Sequence, residues 1–312
     1  MSSLREVLAP IGERTPLGGR VRFVAMAEVP LTRKQVEHLR NERYHRRRDK
    51  RLRHADDIRR FVDDVGVCLL FPVQGVEMPN VYQAVAGYAK AITSKHDDPH
   101  ISLTWSTKDR ALDKRWWYYG KLIKGKATLV SLDLLPHFYA LSENFGADDD
   151  YLHEYEAGAL SADARSIYEA LLRHGPLHAV ELKRKANLYG DALKGKFDKA
   201  LTELQVGLKV LPVGVAEAGA WRYAFVYDIV SRWFPRVPEQ AREITRGEAR
   251  ATILARHLRN VIYATPREIA RIFDWSAHDT ATTIQRLVER HEISFGEVVE
   301  GIKAEIALAV QP

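Results

Sequence analysis

The polar and apolar positions of this 312-residue chain alternate between helical stretches and short extended ones. Thr32 precedes a polar run with Gln35 three residues on, a capping-box pattern that predicts a helix running through the basic stretch that follows. A second helix is expected over about 55–63. The run 65–73 (VGVCLLFPV) is continuously apolar next to a proline, consistent with a buried strand or a buried helical turn. Residues 93–100 are rich in turn formers. An aromatic segment with Trp105, Trp116, Trp117, Tyr118 and Tyr119 then leads through a Lys124-Gly125-Lys126 turn into a strand-like stretch over 127–132.

From Ser161 the pattern repeats. Ser161 caps a helix reaching His174, with Ile167, Ala170 and Leu171 on one face, and Gly175-Pro176 breaks it. A short helix carries Val180, Leu182 and Leu188. A third, over about 191–206, turns Phe197, Ala200, Leu201 and Leu204 inward. Strands 208–215 and 221–227 flank the Glu217-Ala218-Gly219 turn. Three helices followed by a hairpin is the winged-helix order. It recurs with helices over 246–260, from Thr265-Pro266 to about 273, and over about 278–291, then an extended 293–299. The two copies stand about 85 residues apart, a spacing that suggests tandem modules. The expected architecture is mainly α with short β-hairpins, as tandem winged-helix (helix-turn-helix) modules. An irregular arm covers 1–28 and a first module 29–147. An acidic linker at 148–160, around Asp148-Asp149-Asp150, precedes modules at 161–235 and 236–312.

Composition narrows the possibilities. Cys68 is the sole cysteine, so neither a disulfide nor a cysteine zinc site can form within one chain. No apolar run is long enough to span a bilayer, and residues 1–19 lack the apolar core of a secretory signal, which makes the cytoplasm the expected location. The net charge is +6, and residues 33–60 hold twelve Lys/Arg against five acids, a surplus larger than that of the whole chain. Arginine outnumbers lysine there ten to two. Guanidinium forks suit oxyanions, so Arg40, Arg43, Arg46, Arg47, Arg48, Lys50, Arg51 and Arg53 are candidates for a polyanion such as double-stranded DNA. The plainer alternative is a solvated helix face.

Arg232-Trp233-Phe234-Pro235, the Glu248-Ala249-Arg250 helix and the start Ala264-Thr265-Pro266-Arg267-Glu268-Ile269-Ala270 resemble the interstrand-crosslink-repair DNA glycosylase family, the AlkZ type. The likeness extends more loosely from Leu31 onward. Gly66 to Val81, followed by His96-Asp97-Asp98-Pro99, is similar to an AlkZ-related branch. The resemblance implies three tandem winged helices forming a concave DNA-binding surface, and an ancestral cleavage of N-glycosidic bonds in alkylated purines. It also implies a catalytic Gln, any residue, then Gln or Asp. Matching Val65-Gly66-Val67 to the family pattern puts Leu69, Leu70 and Phe71 at that motif. In an extended strand Leu69 and Phe71 share a face. Neither can position water or stabilise an oxocarbenium-like centre.

Gln74 and Glu77 are the nearest polar side chains downstream and form a candidate shifted catalytic pair; Asp63 and Asp64 read as a helix end. The His96 to His100 segment offers N and O ligands, yet five adjacent residues rarely wrap one ion, so no metal and no cofactor is expected. Trp116 and Trp117 are candidates for stacking an extruded base, with one of the two expected to be buried packing. Lys194, Lys196 and Lys199 open the second module's third helix, the element a helix-turn-helix offers to the major groove, and Lys183, Arg184 and Lys185 precede it. Two functions stay open: a non-catalytic, monomeric DNA or damage binder, and a DNA glycosylase using a shifted carboxylate.

Overall fold

The structure, a computed structural model, describes residues 31–92, 98–142, 144–219, 221–296, 299–300, 302 and 306–309. The arm expected over 1–28 lies outside them, as do His96 and Asp97. Helix α1 (Arg33–Arg43) begins with the expected capping box. Thr32 accepts from the Gln35 N–H at 3.2 Å, and the Gln35 side chain accepts from the Thr32 N–H at 2.7 Å. The helix does not continue through the basic stretch. His45 takes φ 54° and residues 44–54 are irregular. Tyr44 is buried among Leu254, Leu258 and Ile284 of the C-terminal core, and Arg40 Nε donates to the Val261 carbonyl at 2.7 Å. These contacts dock α1 on the C-terminal unit, although the sequence places it in the first.

Three stretches then share one order of helix, short strand, two helices and two strands. The first comprises α2 (Ala55–Val65), β1 (Val67–Leu69), α3 (Val81–Ala86), α4 (Pro99–Leu112), β2 (Tyr118–Gly120) and β3 (Thr128–Val130). Helices α5 (Leu135–Tyr139) and α6 (Asp150–Glu156) lead to the second: α7 (Ala162–His174), β4 (Leu177–His178), α8 (Ala179–Lys185), α9 (Lys194–Val206), β5 (Val210–Ala216) and β6 (Ala224–Ile229). Helices α10 (Val230–Trp233) and α11 (Arg236–Arg242) lead to the third: α12 (Arg246–Val261), β7 (Tyr263–Ala264), α13 (Pro266–Phe273), α14 (Ala277–Glu289), β8 (Ile293–Gly296) and β9 (Ile306–Ala309). Each set of three strands forms an antiparallel sheet with its last strand in the middle: β1-β3-β2, β4-β6-β5 and β7-β9-β8. The first copy is hidden in the sequence. Helix α3 is short and buried on every side, so it has no amphipathic period. Asp98-Pro99, which reads as a turn, caps α4, with Asp98 accepting from the His100 N–H at 2.9 Å.

The units do not pack as separate beads. Val67 and Leu69 point into an apolar cluster shared with Leu211 and Val213 of the second unit and Ile253 and Ile272 of the third, while Cys68 and Leu70 face the first unit's own core. The acidic segment 148–160 is solvated only in part, with Asp148, Asp149 and Glu156 exposed. Asp150 is buried and accepts from the N–H groups of Phe145, Gly146 and Ala147 at 2.6, 2.7 and 3.1 Å. Glu154 pairs with the buried Lys209 at 2.5 Å. Acids with such partners organise a turn and start α6.

Candidate nucleic-acid interface

Because the chain leaves helical geometry after Arg43, the eight cations expected to track phosphates scatter. Arg40 and Arg46 turn inward, the first donating to the Val261 and Tyr263 carbonyls, the second lying over the Tyr44 ring at 4.4 Å. Arg47 and Lys50 are paired with Glu42, and Arg43 lies 3.5 Å from Asp64. Arg48, Arg51 and Arg53 are exposed and make no ion pair among the described residues.

A cationic surface nevertheless forms around the C-terminal end of α2. Arg256 donates to the Asp63 and Asp64 carbonyls at 3.3 Å each, and Arg259 to the Asp64 carbonyl at 3.1 Å. Asn260 reaches the Val65 carbonyl at 2.7 Å. These groups cap carbonyls that the helix leaves unpaired, at the end where its dipole favours cations. Gly66 permits the approach: its φ is 78°, and a Cβ there would stand 2.8 Å from Arg256 Cγ. Burial, and then the charges of Arg256 and Arg43, lower the Arg259 guanidinium from its usual range. On one side lies a cleft of 860 Å³ lined by Arg43, Arg256, Arg259 and Arg290 with Glu248 and Glu292. On the other is a cleft of 470 Å³ lined by Arg59, Lys114, Arg115 and Trp116 with Leu132, Asp63 and Asp133. Arg256 and Arg259 are not among the cations that the charge pattern of the chain singles out. The signal was their i, i+3 spacing on one stripe of α12, diluted there by apolar neighbours.

In the second unit Lys194, Lys196 and Lys199 are exposed on α9, Lys199 opposite the buried Phe197, Ala200 and Leu201, Lys196 beside that stripe and Lys194 at the helix start. Lys183 lies over the Phe197 ring at 4.9 Å and Arg184 over Tyr189 at 4.9 Å, while Lys185 is exposed. Trp221, in the β5–β6 turn, is 91% exposed, and Tyr189 is also exposed. The apolar pattern predicts a strand from Trp221, whereas β6 starts at Ala224. The position of Trp221, two residues after the Glu217-Ala218-Gly219 turn, was the available clue.

Leu69 and Phe71 do not share a face, because β1 ends at Leu69 and the alternation stops there. Leu69 is buried in the shared cluster, while Phe71 packs toward Tyr82 and Trp105 with ring centroids 5.5 and 6.0 Å away. The position that the resemblance matches to the catalytic motif is thus closed by apolar packing. Downstream, Glu77 lines a cavity of 450 Å³ with Arg40, Arg46, Arg271 and His257. Gln74 is exposed and not among its lining residues, so the expected pair is split. Glu77 sits 3.6 Å from Arg40 and 4.0 Å from Arg46. His257 is buried with both ring nitrogens unpartnered, and burial, with the Arg40 charge adding, pushes its pKa down to about 3. The cavity lies across α12 from the arginine surface: at about 100° per residue, His257 and Val261 point opposite to Thr252, Arg256 and Arg259.

Trp117 is 2% exposed, set in the first unit's core, so it has no face to offer a base. Trp116 meets it edge-on at 5.8 Å and stays partly exposed. Among the described residues no three His, Cys, Asp or Glu side chains stand together as metal ligands, and no helix is long and apolar enough to cross a membrane.

No curated protein sequence matches this chain. The solved structure of the Streptomyces sahachiroi DNA glycosylase AlkZ is similar with a TM-score of 0.56 at 14% identity, covering 89% of this chain and 70% of that one, a likeness of fold. A family model described as AlkZ related matches residues 52–274, from the loop before α2 to the end of α13. That span holds Leu69, Phe71, Glu77 and most of the cationic surface, and on its strength the chain belongs to the AlkZ-related family.

Proposed function

We propose that the chain is an intracellular, monomeric protein that binds double-stranded DNA in a repair-related role and does not cleave at its family's motif position. The three recurrent helix–strand–helix–helix–strand–strand units would be winged helices, with α9 the helix offered to the major groove. One observation carries the reading. The fold pairs or buries some of its cations yet leaves Arg48, Arg51, Arg53, Lys185, Lys194, Lys196 and Lys199 exposed, with no ion pair among the described residues. Positive charge held without a partner is what a phosphate backbone neutralises. Contacts to about six phosphates give a log–log slope of affinity against salt near −5. Anisotropy titrations of a labelled duplex over a salt series measure it, and an affinity independent of salt rules the reading out.

The second reading is a glycosylase with Glu77 as its carboxylate, and the cavity beside that residue favours it. Glu77 faces two guanidiniums, and the arginine surface lies on the other side of α12, so the first reading is preferred. Duplex carrying N7- or N3-alkyl purines, incubated with the protein and treated with alkali, is expected to stay intact while being bound. Strand breaks that disappear in Glu77→Gln would establish the second reading.

A further inference from the structure

The cleft at Trp116 has a composition that plain phosphate binding does not explain. Trp116 and Leu132 form an apolar floor, with Leu132 39% exposed. Arg59, Lys114 and Arg115 form a cationic rim. Two carboxylates, Asp63 and Asp133, share the cleft, and their charges would oppose a phosphate lodged at its centre. They are not equivalent. Asp133 is engaged by Arg256 at 2.9 Å and by the Ser131 hydroxyl. Asp63 has Arg59 at 4.0 Å, beyond hydrogen-bond distance, so its oxygens are open acceptors facing the cleft. Burial first, and then the Asp133 charge, raise the Asp63 carboxyl, which a donor placed between the two would relieve.

We propose that this cleft receives an unpaired nucleobase of DNA that carries an exocyclic amino group. The aromatic floor takes the face of the base, the open carboxylate accepts from its amino N–H, and the rim cations hold the flanking phosphates. A base inside an intact duplex has both faces covered by its neighbours and its pairing edge occupied, so only an unstacked base can present face and edge together. Arg59 and Lys114 lie over the Trp116 ring, 5.6 and 5.2 Å from its centroid, so a base stacks there by displacing one of these long, exposed side chains, which swings to a flanking phosphate. Arg115 is held apart over the Trp233 ring at 4.2 Å, which keeps one rim cation in place. The inference rests on the DNA-binding reading and adds to it a preference for duplex with a local defect.

The test compares three labelled duplexes by anisotropy: one intact, one with a single bulged cytosine, one with a bulged thymine. The cytosine bulge is expected to bind roughly tenfold tighter than the intact duplex, the size of effect one stacked base supplies. Trp116→Ala should remove that preference, so that the variant binds the cytosine bulge no more tightly than it binds the intact duplex. Trp116→Phe, which keeps a ring, should retain most of it. Asp63→Asn should narrow the difference between cytosine and thymine. Equal binding of all three duplexes, or a preference that survives Trp116→Ala, overturns this inference alone. Failure to bind any duplex overturns the DNA-binding reading with it.

Discussion

Exchanging Lys194, Lys196 and Lys199 for glutamate is expected to weaken duplex binding about 100-fold or more at low salt and to make the salt slope shallower by about 3. Each phosphate contact contributes about 0.9 to that slope, so three lost contacts account for the change, and the three introduced acids add repulsion. The fold should tolerate the exchange. All three side chains are exposed, and the core contacts of α9 are made by Phe197, Ala200, Leu201 and Leu204. They lie in the first two turns of a helix beginning at Lys194, where the dipole favours acids. Circular dichroism and thermal unfolding are therefore expected to match wild type, which separates lost binding from lost structure. An affinity within twofold of wild type would mean that α9 does not face the DNA. The neutral exchange to glutamine should lower the slope by a similar amount with a smaller loss of affinity.

Between pH 8 and 10.5 the protein is expected to gain stability relative to its Lys108→Met variant. The Lys108 side chain on α4 is fully buried, its ammonium 4.1 Å from the Trp105 ring centroid and 4.3 Å from that of Phe225. It pairs with Asp109 at 2.6 Å and donates to the Tyr223 hydroxyl at 2.9 Å. Burial outweighs these partners and pulls its pKa down from 10.5 to about 8. The folded state then binds fewer protons than the unfolded one between those values, so stability rises with pH through the window. Below pH 8 the full cost of the buried charge is present; above 10.5 neither state carries it. The shift corresponds to about 3 kcal/mol as an upper figure. Burial holds Tyr119 and Tyr223 far above their usual range, with Asp109 adding at both, so neither ionises in the window. In Lys108→Met the Tyr223 hydroxyl still donates to Asp109, at 2.8 Å, and no buried group loses its only partner. The variant should be at least as stable as wild type at neutral pH, as apolar replacements of buried ions often are. Denaturant melts of both proteins across this range measure the difference, and a difference independent of pH would show that Lys108 does not titrate there.

The elements legible in the sequence are those whose signals are local. Ser161 and Thr265 each accept from an N–H three residues on, and the helices they start, α7 and α13, lie where capping and periodicity predict, while α12 and α14 lie where periodicity alone does. A cap is a contact between near neighbours, and a stripe needs only the helix's own geometry. The same holds for the exposure of Lys199, which follows from the apolar stripe on the other side of α9. The family resemblance was also readable, because its motifs sit in those well-marked helices.

Tertiary structure decided the rest. Whether Arg40 meets a phosphate or a carbonyl depends on where α12 passes, some 200 residues later in the chain. Whether Leu69 and Phe71 share a face depends on where β1 stops pairing, which β3 determines from sixty residues away. The cavity at Glu77 and the cleft at Trp116 are each lined by segments from distant parts of the chain. By itself the sequence determined the helices and which of their faces are polar, because those are set by interactions along one element. It could not determine which charges remain unpaired, because an ion pair or a cap between elements depends on the packing of the whole chain.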